Sequence, residues 1–300
     1  MNARPGRITA PLAIFRLVLR EIRVEHTLFA LPFAYVGALM GARGLPTLWQ
    51  LLWITLAVVG ARTAAMAANR YIDREIDARN PRTARRALPA GILAPNVMLG
   101  AAFAGLALLL VSAAELSWVC LLLLPFAALG IAIYPFCKRF TWSAHFVLGA
   151  VDGLAPLGAF IAVSRSVTPA IVLVFIAVTI WVAGFDIAYA LMDRDVDVEQ
   201  NIRSIPARFG LSSGRALPIV MHAVMTVVLA LAGLAAQAGP AWYVGILAAA
   251  CLTIYESRLF RISENHFILN ERIFVSNMIF SLVFLAATLG AYLVRPLGVA

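Results

Sequence analysis

Apolar residues run through this chain in membrane-length blocks separated by short polar breaks. By apolar length the blocks lie at about 27–43, 48–69, 95–113, 117–135, 143–163, 168–192, 216–236, 241–258 and 273–294, which predicts nine membrane-spanning helices and an all-α fold. The breaks carry residues that end helices: Gly44 and Pro46 after the first block, Pro81 and Pro89 after the second, Pro135 after the fourth, Pro169 before the sixth, Gly239 and Pro240 before the eighth. Ahead of the first block, residues 9–26 place Arg16, Arg20 and Arg23 on one side and Leu12, Phe15, Leu19 and Ile22 mostly on another, the pattern of a short helix lying in the membrane interface. Trp53, Trp118, Trp142 and Trp242 are expected as interface anchors. No linker or low-complexity run divides the chain, so residues 1–300 are expected to form one membrane domain, with 1–26 as its cytoplasmic, interfacial segment.

Composition agrees with the pattern. With 62% hydrophobic and 13% charged residues and a mean hydropathy of +0.90, a water-soluble globular protein is excluded. Cys120, Cys137 and Cys251 are too far apart to suggest a disulfide framework or a metal knuckle. Arg4 and Arg7 are not followed by a short apolar core with a cleavage site, so the first block is expected to stay in the membrane. The basic residues set the orientation. With the N-terminus inside, the spans leave 20 of the 24 on the cytoplasmic side, three outside (Arg43, Arg165 and Arg295) and Arg62 within a helix. The net charge of +9 is thereby explained by topology, and with no basic stripe interleaved with stacking aromatics, nucleic acid is not an expected partner.

The acids are concentrated further. Eight of fifteen lie in 73–77 and 186–199, at the cytoplasmic ends of the second and sixth blocks. Asn69, Asp73 and Asp77 recur every four residues, which on a helix stacks an amide oxygen and two carboxylates on one face. Asp193 and Asp197 repeat that spacing 120 positions later. All-oxygen ligands of this kind suit Mg2+, which completes its shell with water and substrate phosphate. Two such clusters imply a polyanion held between metal ions, with Asp73, Asp77, Asp193 and Asp197 as the catalytic acids. Arg82, Arg85 and Arg86 follow the first cluster, and Lys138 with Arg139 occupies the next cytoplasmic loop; all could contact phosphate, or Arg85 and Arg86 could set topology alone. Arg62 lies seven residues before Asn69, on nearly the same face, and an arginine at that depth needs a partner: a substrate carboxylate or an internal acid such as Asp152. His145 reads as a hydrogen-bonding residue, because no second His or Cys accompanies it.

The three-part pattern Asn69-x3-Asp73-x3-Asp77 with Asn80-Pro81-Arg82-Thr83, then Tyr134-Pro135-x2-Lys138-Arg139-x-Thr141, then Asp186-x2-Tyr189-x3-Asp193-x3-Asp197 with Ser204 to Gly210, resembles the UbiA family of intramembrane aromatic prenyltransferases over nearly the whole chain. The resemblance implies a nine-helix bundle around a lipid-open central cavity, with both acid motifs binding Mg2+ and the diphosphate of a polyprenyl donor, and with Arg82, Lys138 and Arg139 on that diphosphate. It extends the acceptor site from Arg62 to Tyr134, Asp186, Tyr189 and Arg23. It is strongest with the branch that prenylates 4-hydroxybenzoate in ubiquinone synthesis, in the inner membrane. Residues Glu25–Ala34 and His145–Gly149 look more like a branch that prenylates a naphthoate for menaquinone. Polyprenyl diphosphate, an aromatic acid and membrane lipid are the implied partners. Two other classes are compatible with buried charge at these positions: a secondary transporter using Arg62, Asp152 and Asp186 as a pathway, and a non-catalytic membrane scaffold.

Overall fold

A computed structural model describes residues 10–23, 27–263 and 265–293. Arg4, Arg7, Glu25, His26 and Arg295, which entered the sequence argument, lie outside the described residues. The elements are all helices: α1 (Pro11–Glu21), α2 (Thr27–Ala42), α3 (Leu48–Arg79), α4 (Pro95–Leu116), α5 (Trp118–Phe140), α6 (Ala144–Ser164), α7 (Pro169–Ala190), α8 (Arg194–Glu199), α9 (Ile205–Ala235), α10 (Ala241–Ile262) and α11 (His266–Leu293). Eight of them, α3 to α7 and α9 to α11, are long and apolar enough to cross a membrane. The first expected span, α2, has 16 residues, fewer than the ~20 an untilted crossing needs.

Most helix ends follow their sequence signals, but Pro135 does not end α5, which runs on to Phe140 and carries Lys138 and Arg139 in its last turn rather than in a loop. Thr47 caps α3 in a reciprocal box with Gln50, each side chain accepting from the other's backbone N–H at 3.2 and 2.9 Å. Ser204 caps α9 by accepting from Ala207 N–H at 3.3 Å. That helix starts eleven residues before the expected apolar block and kinks at Gly210, whose φ of 87° is costly for any residue with a Cβ. The short α8 was not foreseen. The backbone leaves α7 at Ala190 and turns, so Asp193 stands at the N-cap of α8 and Asp197 within it.

Neighbouring helices close into a ring, α3–α4–α5–α6–α7–α9–α10–α11–α2, with α2 also against α3 and α6. Small residues permit the tightest contacts. A Cβ on Gly149 of α6 would stand 2.1 Å from the Thr179 carbonyl oxygen of α7, so only glycine fits there. On the α7–α10–α11 side, Phe33, Trp181, Phe280 and Phe284 form an aromatic core, with Phe33 and Trp181 centroids 4.8 Å apart. Trp242 belongs to this core: it is fully buried, packs on Phe284 and donates to the Leu229 carbonyl at 3.0 Å. The expected interface anchor is therefore a core residue, because its indole N–H finds a helix carbonyl to donate to inside the bundle. Trp118 and Trp142 are exposed, as an interfacial position requires.

One fully buried polar circuit ties four helices. Trp181 Nε1 donates to Asn277 Oδ1 (2.5 Å), Asn277 Nδ2 donates to Glu256 Oε1 (2.6 Å), and Glu256 Oε2 meets His222 Nδ1 (2.5 Å). His222 Nε2 closes it on the Trp181 carbonyl at 3.1 Å. A carbonyl only accepts, so Nε2 carries a proton. Glu256 and His222 then share one more.

Candidate active site

The C-terminal ends of α3, α5 and α7 and the N-terminal ends of α6 and α9 meet at one end of the bundle, around a cavity of about 280 Å³. Its wall contains Asn69, Asp73, Asp77, Asp193 and Asp197, together with Arg82 and Lys138. Arg62, Tyr134, Asp186, Tyr189 and Arg23 line it too. Two acid motifs separated by 120 positions therefore face one space. Glu75, Asp195 and Glu199, the remaining acids of the clusters, are exposed.

Each carboxylate has a partner. Asp73 is 1% exposed; Lys138 Nζ donates to its Oδ2, while Oδ1 is buried without a hydrogen bond. Asp77 Oδ2 accepts from Arg86 Nη1 at 2.8 Å and lies 3.8 Å from Arg70 Nη1. Arg82 grips Asp193 with two parallel bonds, Nε to Oδ1 at 2.8 Å and Nη2 to Oδ2 at 2.5 Å, and Asn80 Nδ2 adds a third at 2.8 Å. Burial pulls the Arg82 guanidinium down, yet the hydrogen bond and charge of Asp193 outweigh it and hold its pKa above the ordinary arginine value. Arg82 also lies over the Tyr189 ring, 5.6 Å from its centroid. Asp197 has no cation of its own. Burial lifts its carboxyl to about 6, against the hydrogen bond from Ser204 Oγ at 2.8 Å.

Deeper in the bundle, Arg62 Nη1 meets both Asp152 oxygens at 3.3 and 3.4 Å, while its Nε is buried without a partner. The internal acid considered for Arg62 is thus present, and one edge of the guanidinium is left over. This pair stands where the polar cavity meets a second, apolar cavity of about 140 Å³ between α3, α4, α5 and α6, lined by residues such as Ile54, Ala61, Leu109, Leu124 and Ala155. His145 Nε2 accepts from Ile205 N–H at 3.2 Å, which leaves its proton on Nδ1 to be donated to Asp186 at 2.7 Å. The imidazole therefore orients Asp186 from behind.

Arg139 is the expected site residue that does not line the cavity: its Nη2 donates to the Ile72 carbonyl at 3.0 Å, with Asp73 Oδ1 3.7 Å away. Arg85 is exposed, whereas Arg86 turns in to Asp77. The sequence left Arg86 undecided, offered Asp152 only as a possible partner of Arg62, and gave Asn80 and Ser204 no role. Asn80 and Asp152 find their partners 113 and 90 positions away, whereas Arg86 and Ser204 reach back 9 and 7 positions to Asp77 and Asp197, and placement beside the acid motifs was the one hint.

The donor set fits a hard divalent cation. The oxygens of Asn69, Asp73, Asp77, Asp193 and Asp197 share one cavity, and Asp73 Oδ1 is a buried anionic oxygen lacking any hydrogen bond. Among the described residues no three acidic, His or Cys side chains close on one point. An ion here would therefore need oxygens from a phosphorylated ligand and water to complete its shell.

Comparison with known proteins places this geometry. Residues 30–278 match the family described as UbiA prenyltransferase family. The chain is similar to a 4-hydroxybenzoate octaprenyltransferase of Aeromonas salmonicida (strain A449), 35% identical over 223 residues that cover 74% of this chain and 76% of the relative. A protein of the same description from Marinobacter nauticus is 33% identical over 259 residues, 86% of this chain and 87% of the other. Among solved structures, the apo structure of a UbiA homolog from Aeropyrum pernix K1 superposes with a TM-score of 0.70 at 32% identity, covering 90% of this chain and 97% of that one. A UbiA homolog from Archaeoglobus fulgidus bound to GPP and Mg2+ shares the fold, with a TM-score of 0.69 at 18% identity over 91% and 99% of the two chains. With its membrane-length helices and its paired acid motifs on one cavity, the chain belongs to the UbiA prenyltransferase family and is an integral, multi-pass membrane enzyme.

Proposed function

We propose that this enzyme transfers a polyprenyl group from its diphosphate to the ring carbon ortho to the hydroxyl of 4-hydroxybenzoate, using Mg2+, at the cytoplasmic face of the inner membrane, as a step of ubiquinone synthesis. The observation that carries the reading is the junction of a polar, acid- and arginine-lined cavity with an apolar one, bridged by Arg62. A prenyl diphosphate has a polyanionic head and a hydrocarbon tail, and the two cavities divide along the same line. The names of the relatives supply the acceptor, and the Archaeoglobus homolog, bound to GPP and Mg2+, supports the donor class and the ion. Family membership sets aside the transporter and the scaffold.

In this reading Asn69, Asp73, Asp77, Asp193 and Asp197 would hold Mg2+. Bound there, the ion would supply charge neutralisation to the diphosphate leaving group. Arg82 and Lys138, now on Asp193 and Asp73, are placed to pass to phosphate oxygens as the acids take up cations. Arg62 keeps its Nη1 edge on Asp152 and offers Nε to the acceptor carboxylate, which points the phenol toward the diphosphate end. The electron pair of the C–O bond leaves with diphosphate. The ortho carbon then bonds to the allylic cation, and the proton on that carbon passes to the released diphosphate, which restores aromaticity. The apolar wall keeps water from taking the cation first.

The test offers 4-hydroxybenzoate and 1,4-dihydroxy-6-naphthoate separately to membranes containing the protein and a labelled polyprenyl diphosphate, with Asp73→Asn and Asp193→Asn as controls. The expected result is a prenylated benzoate that both substitutions abolish. Transfer to the naphthoate alone would overturn the acceptor and move the enzyme to menaquinone synthesis.

A further inference from the structure

Glu21, at the end of α1, is a buried carboxylate for which the reaction as described has no use. It is 7% exposed, and its Oε1 accepts from the backbone N–H of Ala87 at 2.8 Å. Its own carbonyl accepts from Arg70 Nε at 3.2 Å, and its Oε2, without a hydrogen bond, stands 4.0 Å from that nitrogen. Both contacts lead to one place. Arg70 Nη1 faces Asp77 Oδ2 at 3.8 Å, and Arg86, the residue before Ala87, donates to the same oxygen at 2.8 Å. Around this polar link, Leu17 and Val18 of α1 and Ile22 just after it pack on Leu88, Leu93 and Met98 of the α3–α4 loop and α4. On the other side of α1, Leu12 and Phe15 are 63% and 58% exposed, as apolar residues against lipid would be.

We propose that Glu21 is a positioning residue, through which α1 holds Asp77 and Arg86 in the geometry that receives a divalent cation and a diphosphate. The physical reason is the sensitivity of a carboxylate ligand to the groups behind it, whose loss typically weakens metal affinity by about 10–100-fold. Without the Glu21 carboxylate the loop loses the bond that fixes Ala87, next to Arg86, while Arg70 keeps the backbone carbonyl of residue 21 but loses a buried counter-charge 4.0 Å away, so the cations beside Asp77 are freer to shift. The inference rests on reading Asp77 as a metal ligand.

The experiment measures Mn2+ binding to the full purified chain by electron paramagnetic resonance, with inorganic pyrophosphate as the probe for the donor head. Variants are Glu21→Ala, Glu21→Gln, a packing control Leu17→Ala on the same helix, and Asp77→Asn. The expected result is Mn2+ binding about tenfold weaker in Glu21→Ala. Glu21→Gln, whose amide oxygen still accepts from Ala87, recovers most of it, and Leu17→Ala lowers Tm without changing Mn2+ affinity. Wild-type affinity in Glu21→Ala, or an equal loss in Leu17→Ala, would overturn the positioning role. If the wild type binds no Mn2+, or Asp77→Asn binds it normally, the ligand reading of Asp77 fails first and takes the inference with it.

Discussion

At the scale of single residues, the site is a set of charges that neutralise one another until a ligand arrives. Lys138 sits on Asp73, Arg86 on Asp77 and Arg82 on Asp193. A metal ion must displace these cations, and the displaced cations suit a diphosphate, so ion and donor should assist each other's binding. Lys138→Met is therefore expected to strengthen Mn2+ binding when no diphosphate is present and to raise the KM for the donor by at least about tenfold; titration with and without pyrophosphate checks the first half. Arg62→Ala should raise the KM for the acceptor by a similar factor, leave that for the donor nearly unchanged, and gain little from Arg62→Lys, since an ammonium cannot serve Asp152 and a carboxylate with two planar edges. Much of this scale is legible in one dimension. Asn69, Asp73 and Asp77 declare themselves by spacing, because a helix converts four-residue intervals into a face. Arg139 is not legible, because only the packing of α5 on α3 decides whether its side chain enters the cavity or takes the Ile72 carbonyl.

At the scale of helices, apolar length locates the spans, and the differences lie where length is a poor guide. α9 begins eleven residues early because Ser204 and Pro206 start it in a polar stretch, and α8 arises from a turn after Ala190 that no apolar count records. Trp242 has the residue type of an interface anchor, yet the partner for its N–H is an inward carbonyl of α9. Contacts between helices set the stability. Gly149→Ala should lower Tm by several degrees, because a Cβ there meets Thr179 backbone at 2.1 Å and α6 must move off α7. Asn277→Leu removes the bonds that Asn277 gives to Trp181 Nε1 and Glu256 Oε1 and should cost about 1–3 kcal/mol, read from thermal unfolding in detergent.

At the scale of the whole molecule, the ring of helices places a charged chamber at one end and an apolar chamber beside it, the arrangement needed to bring a hydrocarbon chain and a water-soluble acid together. The apolar chamber should set the tail. Ala61→Phe narrows it while leaving the acids untouched, so the variant is expected to accept short prenyl diphosphates as the wild type does and to reject long ones, as measured by product mass across a series of donors. The two acid motifs could be assigned to one site from sequence because their spacing matches; that the two chambers join at Arg62 and Asp152 required the fold. The central claim is that the joined chambers perform metal-dependent carbon prenylation. Its most direct test supplies membranes containing the protein with polyprenyl diphosphate labelled in the prenyl group and 4-hydroxybenzoate, with and without a chelator. The account predicts label in a carbon-prenylated acid, lost on chelation and restored by Mg2+. Label that stays in the diphosphate, or appears only as free prenyl alcohol, would contradict it.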